Sequence, residues 1–142
     1  MKQGKWLNCL IVIVGVACLG LGAGAGAKAN AAEGVFACAE QAEITKEITP
    51  QAQLEEFSCF IKKWKGAKVL HFKVAVKNVS NEPQRFKIRI FLDNGKAVGG
   101  LLPRKTKKGL IKPGQTAKFV YPVKGMAAKP GSIILHITTM GQ

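Results

Sequence analysis

The chain has 142 residues, a formal net charge of +14 and a hydrophobic share of 47%. This length fits one domain and leaves no room for a multidomain enzyme, and the hydrophobic share excludes a disordered basic tail. Since only two histidines and eight acidic residues are present, few side chains are available for acid–base catalysis or metal binding.

The N-terminus has the pattern of a secretory signal peptide. Lys2 and Lys5 form a short basic region, residues 6–21 are almost wholly apolar, and a stretch of glycine and alanine follows. Ala29-Asn30-Ala31 places small residues at positions −3 and −1 of a cleavage site before Ala32, as signal peptidase requires; Ala27-Lys28-Ala29 is the second choice. We therefore predict that residues 1–31 are a signal peptide and that the protein is exported, to the periplasm or beyond the cell.

Two other fates of this segment compete with cleavage. The apolar run is about long enough to stay as a membrane anchor, which takes roughly 17–25 residues, but its glycine- and alanine-rich second half favours cleavage. Lipoprotein processing would cut just before Cys18, and the residues before Cys18 lack the leucine usual at such sites. An N-terminally anchored protein is therefore the alternative to a released one.

Export changes the inventory of cysteines and charges. Cys9 and Cys18 leave with the signal, whereas Cys38 and Cys59 remain. Two thiols in an oxidising compartment are expected to pair, and closing this loop of about 20 residues would stabilise the fold by about 3 kcal/mol; two unpaired buried thiols are the alternative. Loss of three lysines with the signal lowers the net charge from +14 to +11.

Residues 32–53 form a predicted N-terminal extension. The segment 37–46 is rich in Ala, Glu and Gln and favours a short helix, and Thr49-Pro50 is compatible with the start of another. The next segment, 54–64, fits either a helix or a strand that pairs with residues 68–79 across a turn. Its larger apolar residues recur at helical spacing: Leu54, Phe57, Ile61 and Trp64.

From residue 66 onward, apolar and polar residues alternate with the period of two that indicates strands. One predicted strand covers residues 70–76 and the next covers 85–92, separated by a turn at 78–84. Asp93-Asn94-Gly95 is a strong signal for a tight turn. Further predicted strands lie at 96–101, 116–123 and 132–139. Short strands separated by turn signals every 8–12 residues or so indicate a β-sandwich or a small barrel.

Three segments resemble the FxLYD-type immunoglobulin-like domains of bacterial envelope proteins. They are an Asn-x-Ser after an early strand (Asn78 to Ser80), an aromatic–leucine–aspartate turn (Phe91 to Asp93), and a Lys-Pro-Gly loop before a strand that carries phenylalanine (Leu110 to Phe119). The resemblance covers residues 55–123 and departs from the signature in lacking its tyrosine. It implies an all-β, immunoglobulin-like antiparallel β-sandwich over residues 54–142, with a strand rather than a helix at 55–64.

Basic residues dominate the polar face of two consecutive predicted strands. If residues 78–84 close an antiparallel hairpin, five cations share one exposed face: Lys73, Lys77, Arg85, Lys87 and Arg89. A basic loop follows in the chain, with Arg104, Lys105, Lys107 and Lys108. Because like charges facing each other destabilise a sheet, the pattern suggests an anion-binding function. A merely solubilising surface, with lysines that guard sheet edges, is the alternative.

The leading hypothesis is therefore an exported, non-enzymatic envelope protein that acts as a binding or assembly module. Its partner would be an anionic envelope component: a lipid headgroup, a glycan or an acidic protein. Nucleic acid is disfavoured because few aromatic residues accompany the charges. Contact with a membrane is expected only through the signal or through surface association, and the oligomeric state stays open.

We expect neither enzymatic activity nor a cofactor, because no serine lies in a nucleophile elbow and both histidines fall on the polar faces of strands. Two alternatives remain. Imidazole and thioether groups suit copper, so a periplasmic metal carrier would use His136, Met140 and Met126, with His71 as a further candidate ligand. A structural subunit of an appendage or secretion complex would exchange a strand, with residues 132–139 as the candidate edge.

Overall fold

The computed structural model describes residues 34–104 and 109–140, which form two β-sheets packed face to face. The strands of the described residues are β1 (Ile44–Ile48), β2 (Ala52–Trp64), β3 (Ala67–Asn78), β4 (Phe86–Leu92), β5 (Ala97–Leu102), β6 (Thr116–Val123) and β7 (Ile133–Thr139). One sheet has the order β2-β3-β6 and the other β1-β7-β4-β5. The predicted all-β sandwich is confirmed. The predicted signal peptide, residues 1–31, lies outside the described residues.

The core lies between the two sheets and follows the alternation read from the sequence. The apolar residues predicted to share a face in β3, β4 and β7 are all buried: Leu70, Phe72, Val74 and Val76; Phe86, Ile88, Ile90 and Leu92; Ile133, Leu135 and Ile137. Each strand buries one face because its side chains alternate between the core and the outer surface.

The segment 54–64 is a strand, and a β-bulge explains part of the helical spacing of its apolar residues. β2 pairs with β3 across the turn at Lys65 and Gly66, and the register shifts between Leu54 and Glu56. One extra residue at that point brings Leu54 and Phe57 to the same side of the sheet, although they are three residues apart. The strand prediction is confirmed and the helical one is wrong.

The predicted extension, residues 32–53, contributes to the sandwich over its described part. The expected helix is wrong: a single 3₁₀ turn at Gln41–Glu43 leads into β1, which pairs in parallel with β7. Ile44 and Ile48 pack against the core from β1. The β-branched residues of this segment suit a strand, and pairing with β7 outweighs the helical preference of the alanines and glutamates before it.

A disulfide joins Cys38 to Cys59, with a Cα–Cα distance of 5.0 Å. The predicted bridge is confirmed. It fixes the segment before β1 to the middle of β2, and the Phe36 N–H donates to the Cys59 carbonyl at 2.8 Å beside it.

The connection between β3 and β4 crosses from one sheet to the other, so the hairpin predicted across residues 78–84 does not form. Asn78 is fully buried at this crossover. Its side-chain amide donates to the carbonyls of Glu82 and Ile111 at 2.7 and 2.8 Å, and its side-chain oxygen accepts from the Ser80 N–H at 2.9 Å. These bonds tie the end of β3 to residues 80–82 and to Ile111, and so hold the crossover in place. The Ile111 carbonyl, which is buried, needs such a partner.

Six of the seven described strands follow the order of an immunoglobulin-like sandwich. In the usual lettering, β2-β3-β6 correspond to A-B-E, and β5-β4-β7 correspond to C′-C-F. β1 takes the place of strand G but runs parallel to its neighbour, and the described residues contain no strand in the place of D.

Within the described residues, no helix has the length and apolarity needed to cross a bilayer.

Candidate functional site

The predicted basic face is divided between the two sides of the molecule. Lys73 and Lys77 lie on the outer surface of the three-stranded sheet, whereas Lys87 and Arg89 lie on the outer surface of the four-stranded sheet. Arg85 precedes β4 in the crossover. The single five-cation face is therefore wrong, because the crossover places β3 and β4 in different sheets.

Lys73 also has a carboxylate partner. Its ammonium lies 2.9 Å from Glu56, and both side chains are 36% exposed. The hydrogen bond from Lys73 lowers the pKa of Glu56. An ion pair of this kind partly neutralises the cation, so the outer face of β3 is a weaker anion site than its sequence indicates.

A different group of cations surrounds an open cleft of about 910 Å³ at the seam between the two sheets. Among the described strands, β6 pairs only with β3 and β5 only with β4, so the two free edges face the same seam. The lining residues that matter here are the cations Lys65, Lys96, Arg104 and Lys124, the aromatic residues Trp64, Phe119 and Tyr121, and the apolar residues Val98, Val120 and Pro122. No aspartate or glutamate belongs to the lining of this cleft as the described residues form it.

At one end of the cleft, two lysines lie over the ring of Trp64 and a third contacts the backbone beside them. The ammonium groups of Lys65 and Lys124 lie 5.0 and 5.9 Å from the centre of its ring, within the range of cation–π attraction. Lys96 donates to the backbone carbonyl of Lys124 at 3.5 Å. Each of these contacts holds an ammonium near the cleft, which reduces the ordering cost of binding an anion there.

At the other end, Arg104 covers Phe119. The guanidinium carbon lies 4.8 Å from the ring centre. Arg104 is the one residue of the predicted basic loop that the structure brings to the cleft; its companions Lys105, Lys107 and Lys108 lie outside the described residues. The length of the cleft between its two ends follows from β6. Phe119 lies at the Arg104 end and Val123 directly precedes Lys124, and these two residues are four positions apart, roughly 14 Å at the usual strand rise. The cleft therefore has a cation at each end and an uncharged middle.

The floor of this middle section depends on two adjacent glycines of β5. A Cβ at Gly99 would overlap the carbonyl oxygen of Ile88, and a Cβ at Gly100 would touch the ring of Tyr121 at 3.6 Å. Tyr121 packs against Phe119 with 5.0 Å between ring centres. Its hydroxyl is buried and has no hydrogen-bond partner among the described residues. Burial raises the pKa of Tyr121 to about 12, and the nearby charge of Arg104 acts in the opposite direction.

His71 lines the same cleft and is buried, although it lies on the polar face of its strand as the sequence predicts. The residue is on the outer side of β3 but is only 5% exposed. Its ring stacks on Phe60 at 5.1 Å, and Nδ1 lies 2.8 Å from the Val69 carbonyl, a distance at which an Nδ1–H donates to it. Phe60 and Pro122 flank His71 on the neighbouring strands and cover it.

The side chains proposed as copper ligands do not converge. Nε2 of His136 lies 2.9 Å from a carboxylate oxygen of Glu47 on the outer face of the four-stranded sheet. Met126 accepts a hydrogen bond from Asn94 beside the β4–β5 turn, whereas Met140 follows the far end of β7. Because β7 separates the two methionines, this ligand set is wrong. Among the described residues, no three His, Cys, Asp or Glu side chains cluster in a way that could hold a metal ion.

The residues at the Trp64 end were missed by reasoning from the sequence. The signal was nevertheless present as a lysine-rich run around an aromatic residue, Lys62-Lys63-Trp64-Lys65, with Lys68 shortly after it. In the sequence, Trp64 also fits the apolar pattern of residues 54–64, which hides its role among the lysines. In the structure the run forms the tip of the β2–β3 hairpin, and β6 brings Lys124 to the same place.

Fold and site together define an immunoglobulin-like β-sandwich with a cationic cleft at one seam. Comparison with protein-family models, with curated proteins and with solved structures gave no match for this chain. The resemblance to FxLYD-type domains therefore stays a prediction, and the fold rests on the strand order described above.

Proposed function

We propose that the protein is an exported, non-enzymatic binding module of the cell envelope that holds an anionic partner in the cleft between β5 and β6. The observation that carries this proposal is the lining of the cleft: four cations, three of them stacked on aromatic rings, and no carboxylate among the described lining residues. A concave site lined by one sign of charge raises the local concentration of oppositely charged ligands.

Two further observations support export. The N-terminal sequence has the order of a signal peptide. The disulfide between Cys38 and Cys59 is the state expected for two cysteines in an oxidising compartment. In that setting the available anions are lipids, glycans and acidic proteins of the envelope.

Charge reversal at the two ends of the cleft tests the proposal. The probe is a heparin oligosaccharide, used as a generic polyanion, and its affinity is measured by calorimetric titration at several salt concentrations. The cleft variant carries Lys124→Glu and Arg104→Glu. The matched control carries Lys77→Glu and Lys87→Glu on the outer faces of the two sheets, and it changes the net charge by the same amount.

We expect the cleft variant to bind about tenfold more weakly, equivalent to about 1.4 kcal/mol, and the control to change much less. The affinity of the unmodified protein should fall as salt is added, because exposed charges are screened. Equal weakening in both variants would show that only net charge matters and would remove the cleft as the site.

A further inference from the structure

We propose that the anionic partner is an extended acidic polypeptide segment that adds to β6 as a fourth strand of the three-stranded sheet. This inference rests on the proposed function, because it uses the same cleft and the same cations. It replaces the edge expected from the sequence: β7 lies between β1 and β4, so residues 132–139 cannot accept a strand.

The free edge of β6 offers backbone groups at known positions. Just before β6, the Asn78 N–H donates to the Gln115 carbonyl at 2.9 Å. Positions in an antiparallel ladder alternate between bonding to one neighbour and pointing to the other side. The ladder register therefore directs a first set of positions to β3: Ala117, Phe119 and Tyr121. The backbone groups of a second set point to the free edge: Thr116, Lys118, Val120 and Pro122. Of these, Pro122 offers only a carbonyl, because proline has no N–H.

The place beside β6 is the one that strand D fills in constant-type immunoglobulin domains. In this protein, the described part of the connection between β5 and β6 does not pair with β6; it pairs with the crossover between β3 and β4. Ile111 exchanges two backbone hydrogen bonds with Gln84 of the crossover, at 2.7 and 2.9 Å. That pairing holds the connection at the end of the sandwich, so the described residues leave the edge of β6 facing the cleft.

The chemistry of the cleft specifies which segment would fit. Alternate side chains of an added strand point to opposite sides, so every second residue would contact the apolar surface formed by Val98, Phe119 and Tyr121. The cations lie at the two ends of that surface, Arg104 over Phe119 and Lys124 directly after Val123. Phe119 and Val123 are roughly 14 Å apart along β6. A matching segment therefore has aspartate or glutamate near both ends and β-branched or apolar residues between them.

The unpaired backbone groups of β6 favour a polypeptide over the other anions of the envelope. A glycan or a lipid headgroup can bind the four cations, but neither provides the regular N–H and C=O groups that a strand edge recognises. Main-chain hydrogen bonds supply affinity in strand addition, and pockets for alternate side chains supply specificity.

The first test is a selection from a displayed library of random decapeptides against the full protein. We expect the enriched peptides to carry two acidic residues about four positions apart, the spacing that spans roughly 14 Å in a strand, with alternating apolar residues between them. Enrichment of sequences without acidic residues, or no enrichment above the starting library, would overturn the inference.

The second test locates the selected peptide by amide hydrogen exchange. Strand addition should slow exchange at the Lys118 and Val120 amides by at least about tenfold, because both N–H groups gain a partner. The amides of Ala117 and Phe119, which bond to β3 already, serve as internal references. Peptide binding without protection at Lys118 and Val120 would mean that the cleft binds the peptide by charge alone, and the inference would be wrong.

The third test removes one edge donor. Val120→Pro deletes an N–H that points to the free edge, a position where a strand tolerates proline, whereas Val120→Ala keeps the N–H and shortens the side chain. We expect the proline variant to bind the peptide at least about tenfold more weakly than the alanine variant, with thermal unfolding as the check on folding. Should the proline variant unfold, the exchange experiment decides alone.

These outcomes separate the inference from the function on which it rests. If heparin binding depends on Lys124 and Arg104 but no acidic peptide protects β6, the cleft binds anions and strand addition is wrong. If charge reversal in the cleft weakens neither heparin nor peptide binding, both proposals fail.

Discussion

The pKa of Tyr121 reports how far the protein buries this side chain beside the cleft. It is the only tyrosine of the chain, so the tyrosinate absorbance band reports this residue alone. The side chain is 2% exposed, and burial raises its pKa to about 12. In the unfolded chain the pKa returns to about 10. We therefore expect the folded protein to titrate well above the unfolded one.

This difference makes stability depend on pH in one direction. Below pH 10 both states hold the phenolic proton, and the contribution of Tyr121 is fully present. Between the unfolded pKa and the folded value of about 12, the unfolded state binds fewer protons, so the free energy of unfolding falls as the pH rises. A separation of about two units corresponds to a loss of about 2–3 kcal/mol.

Tyr121→Phe is the matching perturbation. A buried hydroxyl without a partner costs about 1–3 kcal/mol, so we expect the variant to be about 1 kcal/mol more stable than the parent at neutral pH. Urea unfolding at a series of alkaline pH values measures both proteins, and titration of the lysines cancels in their difference. A tyrosinate midpoint near 10 in the folded protein, or a variant less stable than the parent, would refute the reasoning.

Three further predictions concern the framework, each measured as a change in the free energy of unfolding by urea. The double variant Cys38→Ser/Cys59→Ser should lose about 3 kcal/mol of unfolding free energy, because it removes the bridge between two residues that are 21 positions apart. If a reductant leaves the urea midpoint of the parent protein unchanged, this prediction is contradicted. Gly99→Ala should lose at least about 2 kcal/mol, because its Cβ overlaps a backbone carbonyl, and Gly95→Ala, with open space around it, should lose less. Asn78→Ala should lose about 2 kcal/mol, because the buried Ile111 carbonyl loses its side-chain donor and the part-buried Glu82 carbonyl keeps only its bond from Ser80; a loss below about 1 kcal/mol would show that water replaces the amide.

The alternation of side chains along each strand determines the core of the sandwich independently of which strands pair. Residues two apart in a strand share a face whatever the strand pairs with, so burial of Leu70, Phe72 and Val74 follows from local geometry. The disulfide can also be predicted from the sequence, since only Cys38 and Cys59 remain after the predicted cleavage. A bulge is less visible: the one at Leu54–Glu56 changed the local period and made a strand resemble a helix.

The candidate site, by contrast, depends on which sheet each strand joins. Lys73 and Arg89 belong to consecutive strands with the same pattern, yet they lie on opposite sides of the sandwich because Asn78 directs the crossover. Lys65 and Lys124 are far apart in the chain and meet at Trp64 only because β6 pairs with β3. The sequence by itself determined the faces of the strands, since those depend on neighbouring residues. The tertiary structure decided where the charges gather, since pairing between distant strands depends on how the whole core is buried.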